Sequence, residues 1–109
     1  MAQELQEQVK QALSDQAFRA ETLVQLQKDF QRCGLELISN ELLELLPSIE
    51  ECIKPVSTRQ LQQLIYLIDV PESIFLSLSR KDSFHQELSE VILMREALKV
   101  YLRHKFSEQ

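Results

Sequence analysis

The chain has 109 residues, of which 44% are hydrophobic and 27% charged, and its net charge is −5. At about 100 to 200 residues per domain this is one domain at most, and the apolar share is enough to form a core rather than a disordered chain. One glycine and three prolines are too little turn material for many short strands, which excludes an all-β fold. An acidic balance without clustered Lys and Arg disfavours nucleic acid, whose phosphates are bound by releasing counterions to such clusters.

Leu5, Val9 and Ala12, then Leu23, Leu26, Phe30 and Cys33, recur at steps of three and four, the spacing of a helical stripe. The same register puts Gln16 and Arg19 on the stripe and turns Phe18 away from it, so one helix from 3 to 33 fits poorly. A break at Ser14 and Asp15 resolves this, because either residue can cap a new helix over about 15 to 33 that Gly34 then closes. Residues 1–13 are expected to form a peripheral or frayed N-terminal helix. The glutamines between Gln3 and Gln31 fall mostly on the polar side, as a solvated face does.

Between 34 and 56 the charge is strongly negative, with Glu36, Glu41, Glu44, Glu50 and Glu51 against Lys54 alone. Ser39 or Asn40 can cap a helix starting at Glu41, and Pro47 interrupts the pattern, so two short helices (40–46 and 48–54) or one kinked helix are expected. Ser57 or Thr58 caps the next helix, 58–69. Its run from Leu64 to Ile68 is apolar on every side, which predicts a position inside the bundle. Asp69 and Val70 precede a short helix, 71–79, with Pro71 in its first position, where a missing N–H does no harm.

The last helix, 84–106, carries two apolar faces. Phe84, Leu88, Val91, Leu98, Leu102 and Phe106 form one stripe, and Leu93, Met94, Ala97, Val100 and Tyr101 lie opposite. A second face needs a second neighbour, so this helix is either central in its own bundle or an interface to another protein or to a second copy. Phe18, off its own stripe, is placed with that second face. The candidate partner interface is therefore Phe18, Leu93, Met94, Ala97, Val100 and Tyr101.

Residues 60 to 78 resemble a helix-turn-helix, since Leu64, Asp69, Val70, Phe75 and Leu78 match its apolar and turn offsets. Ile65 stands where that motif has a small residue, and Asp69 where it usually has glycine. The second helix offers Glu72, Ser73, Ile74, Phe75, Leu76 and Ser77, with almost nothing to read a base edge or hold a phosphate. Catalysis finds less support. His85 and His104 sit about 28 Å apart along one helix at 1.5 Å per residue. Glu41 and Glu44 share a face without the histidine that di-metal bundles supply. With Gly34 as the only glycine, a glycine-rich phosphate loop is ruled out. Cys33 is read at the end of a helix, where the dipole disfavours a thiolate.

Met1 is followed by Gln3, Glu4, Gln6 and Glu7 rather than by a basic stretch and an apolar run, so export is not expected, and Cys33 and Cys52 are read as buried thiols in a reducing cytoplasm. The longest apolar runs, Leu64 to Ile68 and Val91 to Met94, are far short of the roughly 20 residues that span a bilayer. The sequence thus predicts an all-α, compact orthogonal bundle of five to six short-to-medium helices in a single domain, 1–109. It carries no metal or cofactor motif and is expected not to be an enzyme. A non-catalytic interaction or assembly module fits best, with the acidic segment 36–51 as a further surface. The alternative is a degenerate helix-turn-helix DNA-binding regulator using helices 58–69 and 71–79.

Overall fold

The division of the first third of the chain comes from a side-chain cap. In a computed structural model, which describes residues 3–39 and 44–107, Asp15 is extended and its carboxylate accepts the Phe18 amide at 3.1 Å. This separates α1 (Gln3–Ala12) from α2 (Gln16–Arg32). We expect Asp15→Ala to cost about 1 kcal/mol, read as a lower urea midpoint with an unchanged slope, because one first-turn amide loses its acceptor. Gly34 closes α2 at φ +74°, where a side chain would be strained, and the Leu35 amide donates back to the Phe30 carbonyl at 2.9 Å.

Helix α3 (Leu45–Ile53) continues through Pro47. Pro47 is its third residue, and the first amides of a helix have no intrahelical acceptor, so the proline removes no hydrogen bond there. The expected break at 47 is thus absent. The expected helix start at Glu41 and the Asn40 cap lie outside the described residues.

Ser57 caps α4 (Thr58–Ile68) by accepting the Gln60 amide at 3.2 Å. The helix ends at Asp69 in the left-handed region (φ 71°), with Val70 donating back to the Ile65 carbonyl at 2.9 Å. This is the same closure as at Gly34, made by an aspartate, a residue type that tolerates the conformation better than most. Pro71 is the N-cap of α5 (Glu72–Leu78) rather than its first residue. Helix α4 is not wholly interior: Leu61, Leu64, Ile65 and Ile68 are buried, while Tyr66 is 87% exposed.

The fold is an all-α bundle in which α6 (Phe84–Ser107) packs against each of the other five helices. Its buried residues are Leu88, Ser89, Ile92, Leu93, Glu96, Ala97 and Val100. This line passes between the two faces expected from the sequence and takes in Ile92, which belongs to neither. Phe106, at the end of the expected docking stripe, is 66% exposed. The main core joins Leu26 and Phe30 of α2, Ile49 and Ile53 of α3 and Leu64 and Ile68 of α4 to Leu88 and Ile92. A smaller cluster joins Val9 of α1 and Phe18 of α2 to Ala97 and Val100. Phe75 and Phe84 meet edge to face at 5.6 Å and fasten α5 to α6. Buried hydroxyls are satisfied within their own helices, as Thr22 donates to Phe18 and Ser89 to His85.

Candidate interaction face

The six residues expected at an interface are brought together, but by the chain itself. Phe18, Leu93, Ala97 and Val100 are buried and Met94 and Tyr101 half-buried. Val9 of α1 fills the space over Ala97 and Val100, and the Tyr101 hydroxyl donates to Gln8 at 3.0 Å. A partner reaches this face only by displacing α1.

A second feature, invisible in the sequence, is a pair of acids in the seam between α2 and α6. Asp29 is 3% exposed and Glu96 fully buried. Lys99 Nζ donates to Asp29 Oδ2 at 2.9 Å and to Glu96 Oε1 at 3.2 Å, and Gln25 Nε2 donates to Asp29 Oδ2 at 3.1 Å. Burial, reinforced by the neighbouring Asp29, pushes the Glu96 carboxyl up to about 8. Glu96 Oε2 has no hydrogen-bond donor among the described residues, so nothing there stabilises a charge on that oxygen. Burial alone would raise Asp29 too, but its hydrogen bonds to Glu96, Lys99 and Gln25 outweigh that and hold it below the ordinary carboxylate value. Neither of the two open grooves described below is lined by Asp29 or Glu96, and Lys99 ties the pair together across the seam between α2 and α6.

Surface relief lies near the C-terminal end of α2, where it meets α4. One open groove of about 540 Å³ is lined by Arg32, Cys33, Arg59, Gln62, Gln63, Tyr66 and Leu67. It contains two guanidinium groups and no carboxylate. Arg32 stands 4.0 Å from Asp29 at the limit of an ion pair, and Arg59 has no carboxylate within that distance among the described residues. A second open groove, about 470 Å³, includes Gly34, Glu36, Ile38, Glu51, Cys52, Val56 and Gln60. Ile38 is 76% exposed there, and Glu51 holds Lys54 at 3.0 Å. The grooves adjoin through the chain neighbours Cys33–Gly34 and Arg59–Gln60, which places a basic groove beside an acidic one.

Both cysteines lie on this face as free, half-buried thiols, and burial pushes both thiols up, Cys33 against the opposing pull of Arg32. They are thiols rather than thiolates at neutral pH. The histidines are used apart: His104 Nε2 meets Glu21 Oε2 at 2.6 Å, and His85 packs edge-on to Phe84. Among the described residues no group of three His, Cys, Asp or Glu has the arrangement to hold a metal. No helix among them is long and apolar enough to cross a membrane. On α5 the exposed residues are Glu72, Ser73, Ile74, Leu76 and Ser77, none of them a cation. Compared with models of protein families, with curated proteins and with solved structures, the chain matches none.

Proposed function

We propose that the protein is a non-catalytic helical interaction module that docks an acidic stretch of polypeptide on the basic groove between the end of α2 and α4. The observation that carries this is Tyr66, 87% exposed beside Arg32 and Arg59. Tyrosine and arginine are the side chains most enriched where protein surfaces bind strongly, the one for its amphipathic ring and the other for its paired donors. On a chain of net charge −5, two guanidinium groups in one groove, Arg59 without an acidic partner among the described residues and Arg32 only at the limit of one, select for carboxylates. Gln62 and Gln63 add amides suited to a partner's backbone. The groove is open rather than enclosed, which suits a segment of chain better than a small molecule. The two free thiols fit a reducing cytoplasm, and the uncharged and acidic exposed side of α5 favours protein over DNA as the partner.

Titration of a fluorescently labelled glutamate-rich peptide tests the proposal. Saturable binding at low salt, weakened about tenfold or more by Tyr66→Ala or by Arg59→Ala, is the expected result. A wild-type protein that leaves the peptide free at low salt overturns it.

A further inference from the structure

The basic groove borders an acidic one on the same face, and that juxtaposition points to an occupant. We propose that the two grooves pair with those of a second copy of this chain in a twofold dimer, Arg32 and Arg59 of each copy facing Glu36 and Glu51 of the other. The inference rests on the docking role of the basic groove and names its partner.

In a twofold interface one patch meets itself, rotated by half a turn, so it must be self-complementary. A face divided into a positive and a negative half meets that requirement when the axis passes near their boundary. Here the boundary runs through Cys33–Gly34 and Arg59–Gln60, whose residues line one groove on one side and the other groove on the next. Each half also carries one large exposed apolar side chain, Tyr66 in the basic groove and Ile38 in the acidic one. These supply area whose removal from water favours association, while the charges set the register. Of the charged residues on the face, Arg59 is unpaired among the described residues, and Arg32 is 4.0 Å from Asp29. Among the described residues Glu51 holds only Lys54, in a solvent-exposed i,i+3 pair of the kind that contributes little and exchanges readily. The face thus has an uncompensated cation to offer, and on the acidic side a carboxylate free to change partner.

The test is molar mass by light scattering across concentration, at low and at high salt. Wild-type protein is expected to rise from 12.8 kDa toward twice that mass at low salt and to fall back as salt screens the pairing. Arg59→Glu and Glu51→Arg are each expected to stay monomeric, because each sets like charges against one another twice across the axis. Mixed in equal amounts they restore the heavier species, since both contacts are then again between opposite charges. Circular dichroism of each variant checks that the helices are intact. A wild-type chain at 12.8 kDa throughout overturns the dimer, as does an Arg59→Glu variant that dimerises like wild type. If that wild-type monomer still binds the glutamate-rich peptide, the docking groove stands and only the identity of its occupant falls.

Discussion

Raising the pH from 4.5 to about 8 destabilises the fold, and Glu96→Gln removes that dependence. The carboxyl has an ordinary value of 4.5 and is pushed up to about 8 in the native protein, mainly by burial. Between those values the native chain holds a proton that the unfolded chain has released, so stability falls as pH rises. The contribution is complete below 4.5 and is lost as pH passes through about 8. Every tenfold difference in proton affinity between the native and unfolded chains corresponds to about 1.4 kcal/mol, so the full change is on the order of a few kcal/mol. Asp29 acts in the opposite sense. Its native value is depressed below 3.8, so its contribution is present above that value and lost as pH falls through the native one. This acid pair therefore gives greatest stability in the interval between the two ordinary values, 3.8 and 4.5. An amide at position 96 keeps a donor toward Asp29 and an acceptor for Lys99, with no proton to lose. Urea midpoints measured across the range decide the matter: a wild-type midpoint that does not move up to about pH 8 means that Glu96 is already ionised and the acids share no proton.

Phe30→Ala is the other large effect, and it does not depend on pH. Phe30 is completely buried in the main core, among residues of α2, α3, α4 and α6. Its ring cannot be replaced by collapse from one side alone. Removal of a buried phenylalanine costs about 3 to 5 kcal/mol, against a total of about 5 to 15 kcal/mol for a typical domain. A thermal midpoint lower by some tens of degrees is expected, since about 4 to 8 °C is lost per kcal/mol in a chain of this size. A drop of only a few degrees means that the four helices close over the gap and that this core is looser than its burial implies.

Local chemistry was the most legible part of the sequence. Asp15, Gly34 and Ser57 act on amides and carbonyls within one turn of themselves, so the start and end of α2 and the start of α4 are readable from neighbouring residues alone. Pro47 shows where that stops, because the same residue breaks a helix in its interior and is harmless in its first turn, and the helix start is what the pattern leaves open. Periodicity misplaced the buried line of α6 for a different reason. A helix with neighbours on several sides has no single stripe, and Glu96 lies on that line where an apolar residue is expected. The run Leu64 to Ile68 misled in the reverse direction, since hydropathy counts Tyr66 as apolar while its hydroxyl end is content in water. Of the candidate face only the acidic half, with Glu36 and Glu51, was legible. Arg32 and Arg59 belong to different helices and meet only through the packing of α2 on α4, so charge counted along the chain shows an acidic protein and hides its basic groove.

The central place of α6 bears on how the protein comes to be folded during its synthesis. Helices α1 and α3 find their principal neighbour only in α6, which is made after them. As the chain emerges from the ribosome, α2, α4 and α5 have one another to pack against, while the apolar sides of Val9 in α1 and Ile49 and Ile53 in α3 lack the surface that covers them. Folding to the native core thus waits for α6 to leave the exit tunnel. Until then the nascent chain exposes the sticky surfaces that chaperones hold.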